Sequence, residues 1–368
     1  MQRFKKILVA IYPKTNNQAL IDRAVTLSQR NNASLMVTMV VEELPGDSPK
    51  KDVLEQEKIE KSHFNIIEDL PGGIIQSDDS DQSGIQTPYS DSPETGSLEQ
   101  GQPPEWESPM VIQEQIHQED DQYVEQVVAS LRELGVQASG KALYGTPFIE
   151  IIREVLRDEY DLVMISAEGR SGLKDIFFGR TTMHLMRKCP CPVWVMNPNQ
   201  PRHYSHILAA VDPKPYDQER SELNIKIMDL ATSLAQREQS ELLVAHTWTF
   251  DLERYIKSGR VKIPKSTYDE WVENVKDERR RSLNALLDEY DLENLKSEVY
   301  LLKGEAQKLI PELAEARQVE LIVMGTVCRT GLAGFLIGNT AEKILRQVDC
   351  SVLTVKPDGF ITPVKLED

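Results

Sequence analysis

Cysteine, aromatic residues and long apolar runs are all scarce in this chain of 368 residues. Its cysteines, four in number, are too few and too irregularly spaced for a disulfide framework, which favours a reducing compartment. No apolar run approaches the length of a membrane-spanning helix. The basic N-terminal stretch leads into a short apolar run that stops at Pro13. We therefore expect a cytoplasmic protein with neither signal peptide nor membrane anchor.

Positive charge is also in deficit, because the formal net charge is −17. Surfaces that bind nucleic acid or anionic membranes need a basic face, so we expect neither partner. The excess of negative charge is concentrated in the segment between Ser62 and Leu131. This segment holds fifteen Asp and Glu residues and no Lys or Arg. Without that stretch the remaining chain is close to neutral.

Two halves of the chain repeat one pattern. Residues 5–14 (KKILVAIYPK) align with residues 205–214 (SHILAAVDPK), and residues 141–198 align without a gap with residues 300–357. The ungapped stretch matches glycine, threonine, cysteine and proline positions in register. A match of this length indicates a tandem duplication. We predict one domain over residues 1–200 and a second over residues 201–368.

Changes in the alignment offset locate two insertions. The segments 33–41 and 240–248 align only if the first helix of the second copy is about seven residues longer. The middle of the first copy is then longer than its counterpart, and this extra length coincides with the acidic tract. Residues of about 71–120 are rich in Ser, Pro, Gln and Asp, a composition typical of disorder. We expect either a solvated excursion or an acidic docking or phosphorylation segment.

Each copy has the order β, α, β, long connection, α, β, α, β. The apolar runs ILVAI, LMVTMVV, LVMISA and VWVM do not alternate, which is typical of strands buried on both faces of a parallel sheet. Two tandem doubly wound, Rossmann-like α/β domains are therefore predicted, with a ligand crevice at the carboxyl ends of the strands. The linker over residues 197–205 is short and contains proline, so the domains should pack together.

A glycine-bearing loop in the second copy has the parts of an anion site. It runs from Gly325 to Gly338, and a helix follows it. Glycine lets the backbone approach a phosphate, the helix offers free N–H groups, and Arg329, Asn339 and Thr340 add side-chain donors. A tight strand-to-helix turn with a threonine cap explains the same residues. The loop is neither a Walker motif nor a dinucleotide fingerprint.

Other reactive residues have simpler interpretations. Cys189 and Cys191 lead into an apolar strand, as buried structural thiols do. The histidines of the linker, His203 and His206, lack further ligands, so no metal site is predicted. His246 ends the second strand of the second copy, where it either lines an adenine pocket or fills space. No nucleophile with a partner base and no paired carboxylates are visible, so an enzyme is not favoured.

These segments resemble a known family. The duplication, the strand ILAAVDPK and the stretch from Leu321 to Pro357 are similar to the tandem E-type members of the universal stress protein family of proteobacteria. The resemblance covers both halves apart from the acidic insertion, and it implies an adenine-nucleotide alpha hydrolase-like fold. ATP-binding members carry an Asp after the first strand and the motif G-x2-G-x9-G-[ST].

The family's motif is carried unequally by the two copies. The second copy keeps Asp212, Gly325 and Gly338, but it has Cys328 for the second glycine and Asn339 for the Ser or Thr. The first copy departs at the Asp, at the first glycine and at the Ser or Thr, where it has Tyr12, Ser166 and Arg180. A side chain where only glycine fits costs roughly 1 kcal/mol or more. The first site is expected to be degenerate, and the second to bind ATP or another adenine nucleotide with Mg only weakly.

The resemblance implies a non-enzymatic stress-response protein that supports survival under oxidative or DNA-damaging stress through ligand- or partner-gated interactions. The alternative is a weak ATP-binding protein or slow ATPase centred on the second copy. The protein partner is unknown from sequence. Single-domain relatives dimerise through their last strands, so residues 192–198 and 351–357 are expected to pair within this chain as an internal pseudo-dimer, with a homodimer left open.

Overall fold

The protein is an α/β structure built around one large sheet. The computed structural model describes residues 4–12, 15–41, 109–169, 176–201, 203–213, 218–326 and 338–366.

The chain divides into two compact units. One comprises residues 1–42 and 120–368 and contains the whole central sheet. The other comprises residues 43–119, of which the described part, 109–119, is helical. The predicted disordered insertion needs one correction, because residues 109–120 belong to helix α2 (Pro109–Glu133). Its apolar residues Val124, Val128 and Leu131 recur at helical spacing. Residues 71–108 of the predicted insertion lie outside the described residues.

Twelve strands are assigned within the described residues. They are β1 (Lys6–Ile11), β2 (Ser34–Val41), β3 (Ala138–Tyr144), β4 (Leu162–Ser166), β5 (Glu168–Gly169), β6 (Ile176–Phe177), β7 (Val193–Met196), β8 (His206–Val211), β9 (Glu241–Trp248), β10 (Ser297–Lys303), β11 (Leu321–Gly325) and β12 (Ser351–Val355). Ten of them form the central sheet in the order β10-β9-β8-β11-β12-β7-β4-β1-β2-β3, and β5 pairs with β6.

Nine helices are assigned in the same part of the chain. They are α1 (Gln18–Asn31), α2, α3 (Pro147–Asp158), α4 (Arg180–Lys188), α5 (Gln218–Glu238), α6 (Glu253–Lys257), α7 (Lys265–Leu287), α8 (Ala306–Ala316) and α9 (Asn339–Leu345). Helix α5 has 21 residues and its counterpart α1 has 14, which confirms the predicted difference of about seven. Leu20, Ala24 and Leu27 of α1 are buried at helical spacing against the sheet.

The two halves of the sheet have the same topology. In each half the strand order is third, second, first, fourth, fifth, with parallel neighbours, so the fold is two tandem doubly wound domains. The strand order reverses between β1 and β4 in the first domain and between β8 and β11 in the second. Strands β3 and β10 were absent from the predicted pattern. They lie at the sheet edges and are only partly buried, so their sequences lack a continuous apolar run.

Matched glycines end these two edge strands. Gly145 follows β3 with φ of +134°, and Gly304 follows β10 with φ of +148°. Residues other than glycine rarely adopt this backbone conformation. A Cβ on Gly304 would also lie 2.8 Å from Leu309 Cδ1. The same backbone requirement therefore recurs at the same place in both copies.

An antiparallel pair of strands joins the two halves. Val195 of β7 faces Val352 of β12, and Trp194 faces Leu353, while the other neighbours in the sheet run parallel. This pairing confirms the prediction that the last strands of the two copies meet within one chain. Each last strand thereby satisfies the edge that it would otherwise expose.

Helices also pack across the junction. Arg23 of α1 forms an ion pair with Glu238 of α5, and both side chains are almost fully buried. The Arg23 guanidinium lies 4.3 Å from the centroid of the Tyr204 ring. Glu238 also accepts a hydrogen bond from the Tyr204 backbone N–H. The short linker is thus anchored between the two domains.

Candidate functional site

A cavity of about 340 Å³ opens at the point where the strand order of the second domain reverses. Asp212 follows β8 there, and Gly325 ends β11. Gly338, Asn339 and Thr340 approach from the start of α9. The structure therefore brings five predicted site residues to one cavity. Apolar side chains of α5 and α8, including Leu223, Ile227 and Ile310, complete much of its wall.

Asn224 is a lining residue that the sequence analysis missed. Its Oδ1 accepts a hydrogen bond of 2.9 Å from the Asp212 backbone N–H, and the residue is only 3% exposed. Its Nδ2 has no hydrogen-bond partner within the described part of the chain. A buried amide donor without a partner is costly, so this atom is available to an acceptor placed in the cavity. The sequence does contain a signal for this residue. Asn224 matches Asn17 of the first copy in the register that aligns residues 33–41 with residues 240–248.

Gly325 packs closely against the side chain of Leu223. A Cβ at this position would lie 2.6 Å from Leu223 Cδ2, nearer than real contacts allow. A larger residue would therefore push Leu223 into the cavity or displace the strand end. The first copy has Ser166 at the matched position, and that serine is buried.

His246 is buried behind Asp212 and does not line the cavity. Its Nδ1 lies 3.2 Å from the Val211 carbonyl oxygen and 3.8 Å from Asp212 Oδ1. Side chains alternate along a strand, so the neighbours Ala245 and Thr247 face the cavity instead. Of the two interpretations of His246, the geometry favours one in which it supports the end of β8.

Helix α9 begins after a glycine. Gly338 is the N-cap, and among the described residues no side-chain cap bond to the first turn is present. The Asn339 and Thr340 side chains are exposed. The Gly338 N–H donates to the Thr326 carbonyl oxygen at 3.2 Å, which joins the two ends of the intervening segment. Arg329 and Cys328, which the sequence analysis placed in this loop, lie outside the described residues.

The matched position in the first domain is built differently. Tyr12 replaces Asp212, and the Tyr12 carbonyl oxygen accepts a hydrogen bond of 2.8 Å from Asn17 Nδ2. The first copy therefore satisfies the amide whose counterpart, Asn224 Nδ2, is unpartnered in the second. This difference agrees with the unequal motifs of the two copies.

Lys356 is a buried lysine next to the second site. It follows β12, is 5% exposed, and its Nζ donates to the Met186 carbonyl oxygen at 2.5 Å and to Thr326 Oγ1. Burial lowers the pKa of Lys356 to about 7, and the nearby Cys189 opposes this shift only in part. Its matched residue in the first copy is Asn197. A single lysine that follows a strand is typical of a solvated position, so the sequence does not single Lys356 out.

The described cysteines are free thiols. Cys189 Sγ and Cys191 Sγ lie 3.5 Å apart, and this contact together with burial raises the pKa of Cys191 well above its usual value. Burial also raises the pKa of Cys350 to about 12. Thiols held in the protonated form react slowly, as expected for a structural role.

The described part of the chain offers neither a metal-binding cluster nor a membrane-spanning helix. The His, Cys, Asp and Glu residues of this part of the chain form no group of three that could hold a metal ion. None of the helices assigned there is long and apolar enough to cross a membrane.

Comparison with known proteins identifies the family. The sequence model of the "Universal stress protein family" matches residues 92–197 and 203–356. A universal stress protein E of Salmonella typhi is 32% identical over 240 residues, which cover 64% of this chain and 74% of that protein. A universal stress protein E of Escherichia coli K12 is 31% identical over 229 residues, which cover 61% and 70%.

A crystal structure with a similar fold is known. The crystal structure of a functionally unknown protein from Pseudomonas aeruginosa PAO1 matches with a TM-score of 0.62 at 22% identity. The match covers 98% of this chain and 95% of that one. At this identity the likeness supports the fold alone. The two family matches together span most of the sequence on both sides of the linker. The chain therefore belongs to the universal stress protein family.

Proposed function

We propose that this protein is a non-enzymatic stress-response protein whose second domain binds an adenine nucleotide and whose interactions with a protein partner depend on that ligand. The observation that carries the proposal is the cavity beside Asp212 and Gly325, which gathers five of the predicted site residues. Its volume of about 340 Å³ falls within the range of small-molecule sites, roughly 300–1,000 Å³.

The chemistry of the lining suits a nucleoside phosphate. Asp212 would accept hydrogen bonds from ribose or adenine groups, and the unpartnered Nδ2 of Asn224 would donate to a ligand acceptor. The apolar wall of Leu223, Ile227 and Ile310 offers a surface for a flat base. Asn339 and Thr340 would donate to phosphates, Gly338 would let the backbone approach them closely, and a Mg ion would share their charge.

The proposal assigns the ligand to one domain. Tyr12 stands where the second domain has Asp212, and the Tyr12 carbonyl already holds the matched asparagine amide. We therefore expect one nucleotide per chain. Cys328 replaces a motif glycine and should weaken the binding, so Cys328→Gly should tighten it.

Calorimetric titration with Mg-ATP tests the ligand and its location. The wild-type protein should bind one equivalent, and Asp212→Ala should weaken binding at least tenfold because a charged hydrogen-bond acceptor for the ligand is lost. Tyr12→Ala changes the matched position and should leave the affinity unchanged. Equal losses in both variants, or binding of two equivalents, would contradict the assignment. Phosphate release at more than a trace would favour the alternative, a slow ATPase.

The stress role needs a cellular test. A strain that lacks this protein should lose viability under peroxide or DNA-damaging treatment, and the wild-type gene should restore it. The Asp212→Ala variant, produced at the same level, should restore viability only in part because its interactions no longer respond to the ligand. Full rescue by Asp212→Ala would separate the stress role from nucleotide binding.

A further inference from the structure

Residues of the first domain make three contacts with segments that lie next to the second domain's cavity. They come from the last turn of α4, which lies in the first domain. The Met186 carbonyl oxygen accepts a hydrogen bond of 3.1 Å from Thr326 Oγ1 and one of 2.5 Å from Lys356 Nζ. Arg187 Nη2 lies 2.8 Å from Glu342 Oε1 in α9.

Thr326 and Glu342 lie in two segments whose neighbouring residues line the cavity. Thr326 follows Gly325, which lines it, and Glu342 lies in the first turn of α9, whose first two residues line it. The Gly338 N–H donates to the Thr326 carbonyl oxygen, so the two flanks are also joined to each other. The last turn of α4 therefore supports both walls that approach the phosphate end of the proposed site.

The ion pair between Arg187 and Glu342 has no counterpart in the opposite direction among the described residues. The residues of the first copy matched to Thr326, Glu342 and Lys356 are Ala167, Met183 and Asn197, none of which carries a charge. The residue matched to Arg187 is Arg346, whose Nη2 lies 2.7 Å from the same Glu342 Oε1 within its own helix. The Arg187 side chain is 22% exposed, whereas that of Arg346 is 70% exposed.

We propose that α4 of the first domain positions the nucleotide site of the second domain. Arg187 is the positioning residue, and it acts through its ion pair with the Glu342 carboxylate. The first copy, which lacks most of the motif itself, then serves as the support for the second. This inference rests on the proposed function for the identity of the ligand. The contacts that carry it are independent of any ligand.

Paired variants of the full chain test the positioning role. Arg187→Met should weaken Mg-ATP binding on the order of tenfold, because couplings of this kind change affinity by about two- to thirtyfold. Arg346→Met removes the other arginine from the same carboxylate and should change affinity by less than about twofold, since exposed pairs contribute little. In a Glu342→Gln background, Arg187→Met should have little further effect. Equal effects of the two arginine variants would overturn the proposal.

Hydrogen exchange without ligand separates this inference from the proposed function. Arg187→Met should increase amide exchange over residues 338–345 relative to wild type, and Arg346→Met should not. If wild type binds no nucleotide, the proposed function fails, and the exchange result alone decides whether α4 positions these residues. Unchanged exchange in Arg187→Met would overturn the positioning role whatever binds in the cavity.

Discussion

Trp194 of the first domain faces Leu353 of the second across the one antiparallel junction of the central sheet. Both side chains are fully buried, and both belong to the hydrophobic core that the two domains share. The junction therefore turns two family domains into one continuous structure.

Truncating the tryptophan at the junction should be strongly destabilising. Trp194→Ala removes a large side chain that is 0% exposed, and such changes cost about 3–5 kcal/mol. Urea denaturation should show this loss in the free energy of unfolding. Trp271→Ala, at a position that is 38% exposed, is the matched control and should cost much less. Similar losses for both tryptophans would contradict a shared core at the junction.

Breaking the buried ion pair should cost more than removing it. Arg23→Met leaves Glu238 without its cation in a buried site, which costs roughly 3–5 kcal/mol. The double variant Arg23→Met with Glu238→Leu leaves no uncompensated charge and should recover much of that stability. Thermal unfolding of the two single variants and the double variant gives the coupling free energy. Additive losses would show that the two side chains do not act as a pair.

Lys356 should make stability depend on pH. The folded protein releases its proton near pH 7, whereas the unfolded chain holds it up to about 10.5. Between these values the unfolded state binds one more proton, so the stability contributed by this group rises with pH. Each pH unit is worth about 1.4 kcal/mol. Lys356 therefore destabilises the folded protein most at and below pH 7.

Lys356→Met tests that dependence. The variant should be more stable than wild type at pH 6 by a few kcal/mol, and its advantage should shrink by about 1.4 kcal/mol per unit between pH 7 and pH 9. Urea unfolding at several pH values measures it. Lys276→Met, at a position on α7 that is 37% exposed, should show no such trend. An advantage that stays constant over this range would mean that Lys356 keeps its proton in the folded protein.

The buried strands of the fold could be predicted from sequence. So could the residues at the carboxyl ends of the strands that line the cavity. Strands β1, β4 and β7 are continuous apolar runs because both faces of the sheet are covered. Strands β3 and β10 escaped prediction because edge strands are half exposed. The duplication placed Asp212, Gly325 and the start of α9 at one edge, since carboxyl ends of parallel strands share an edge.

The contacts between domains could not be predicted from sequence. Arg187 and Arg346 occupy matched positions, and only the antiparallel junction decides that one of them reaches across to Glu342. From sequence, Lys356 is expected to be a solvated residue at the end of a strand. In the structure the first domain covers it. The orientation of His246 depends on which face of β9 points to the cavity, and the apolar run of this strand does not alternate.

Native mass spectrometry of the purified protein with Mg-ATP tests the central claim most directly. The account predicts one adenine nucleotide per chain on wild type, retention of that mass in Tyr12→Ala and its loss in Gly338→Glu, which places a carboxylate at the phosphate end. An empty wild type would contradict the account, and binding by Cys328→Gly alone would show that the Cys328 side chain closes the site. Failure of both proteins to bind would contradict a nucleotide site in the second domain.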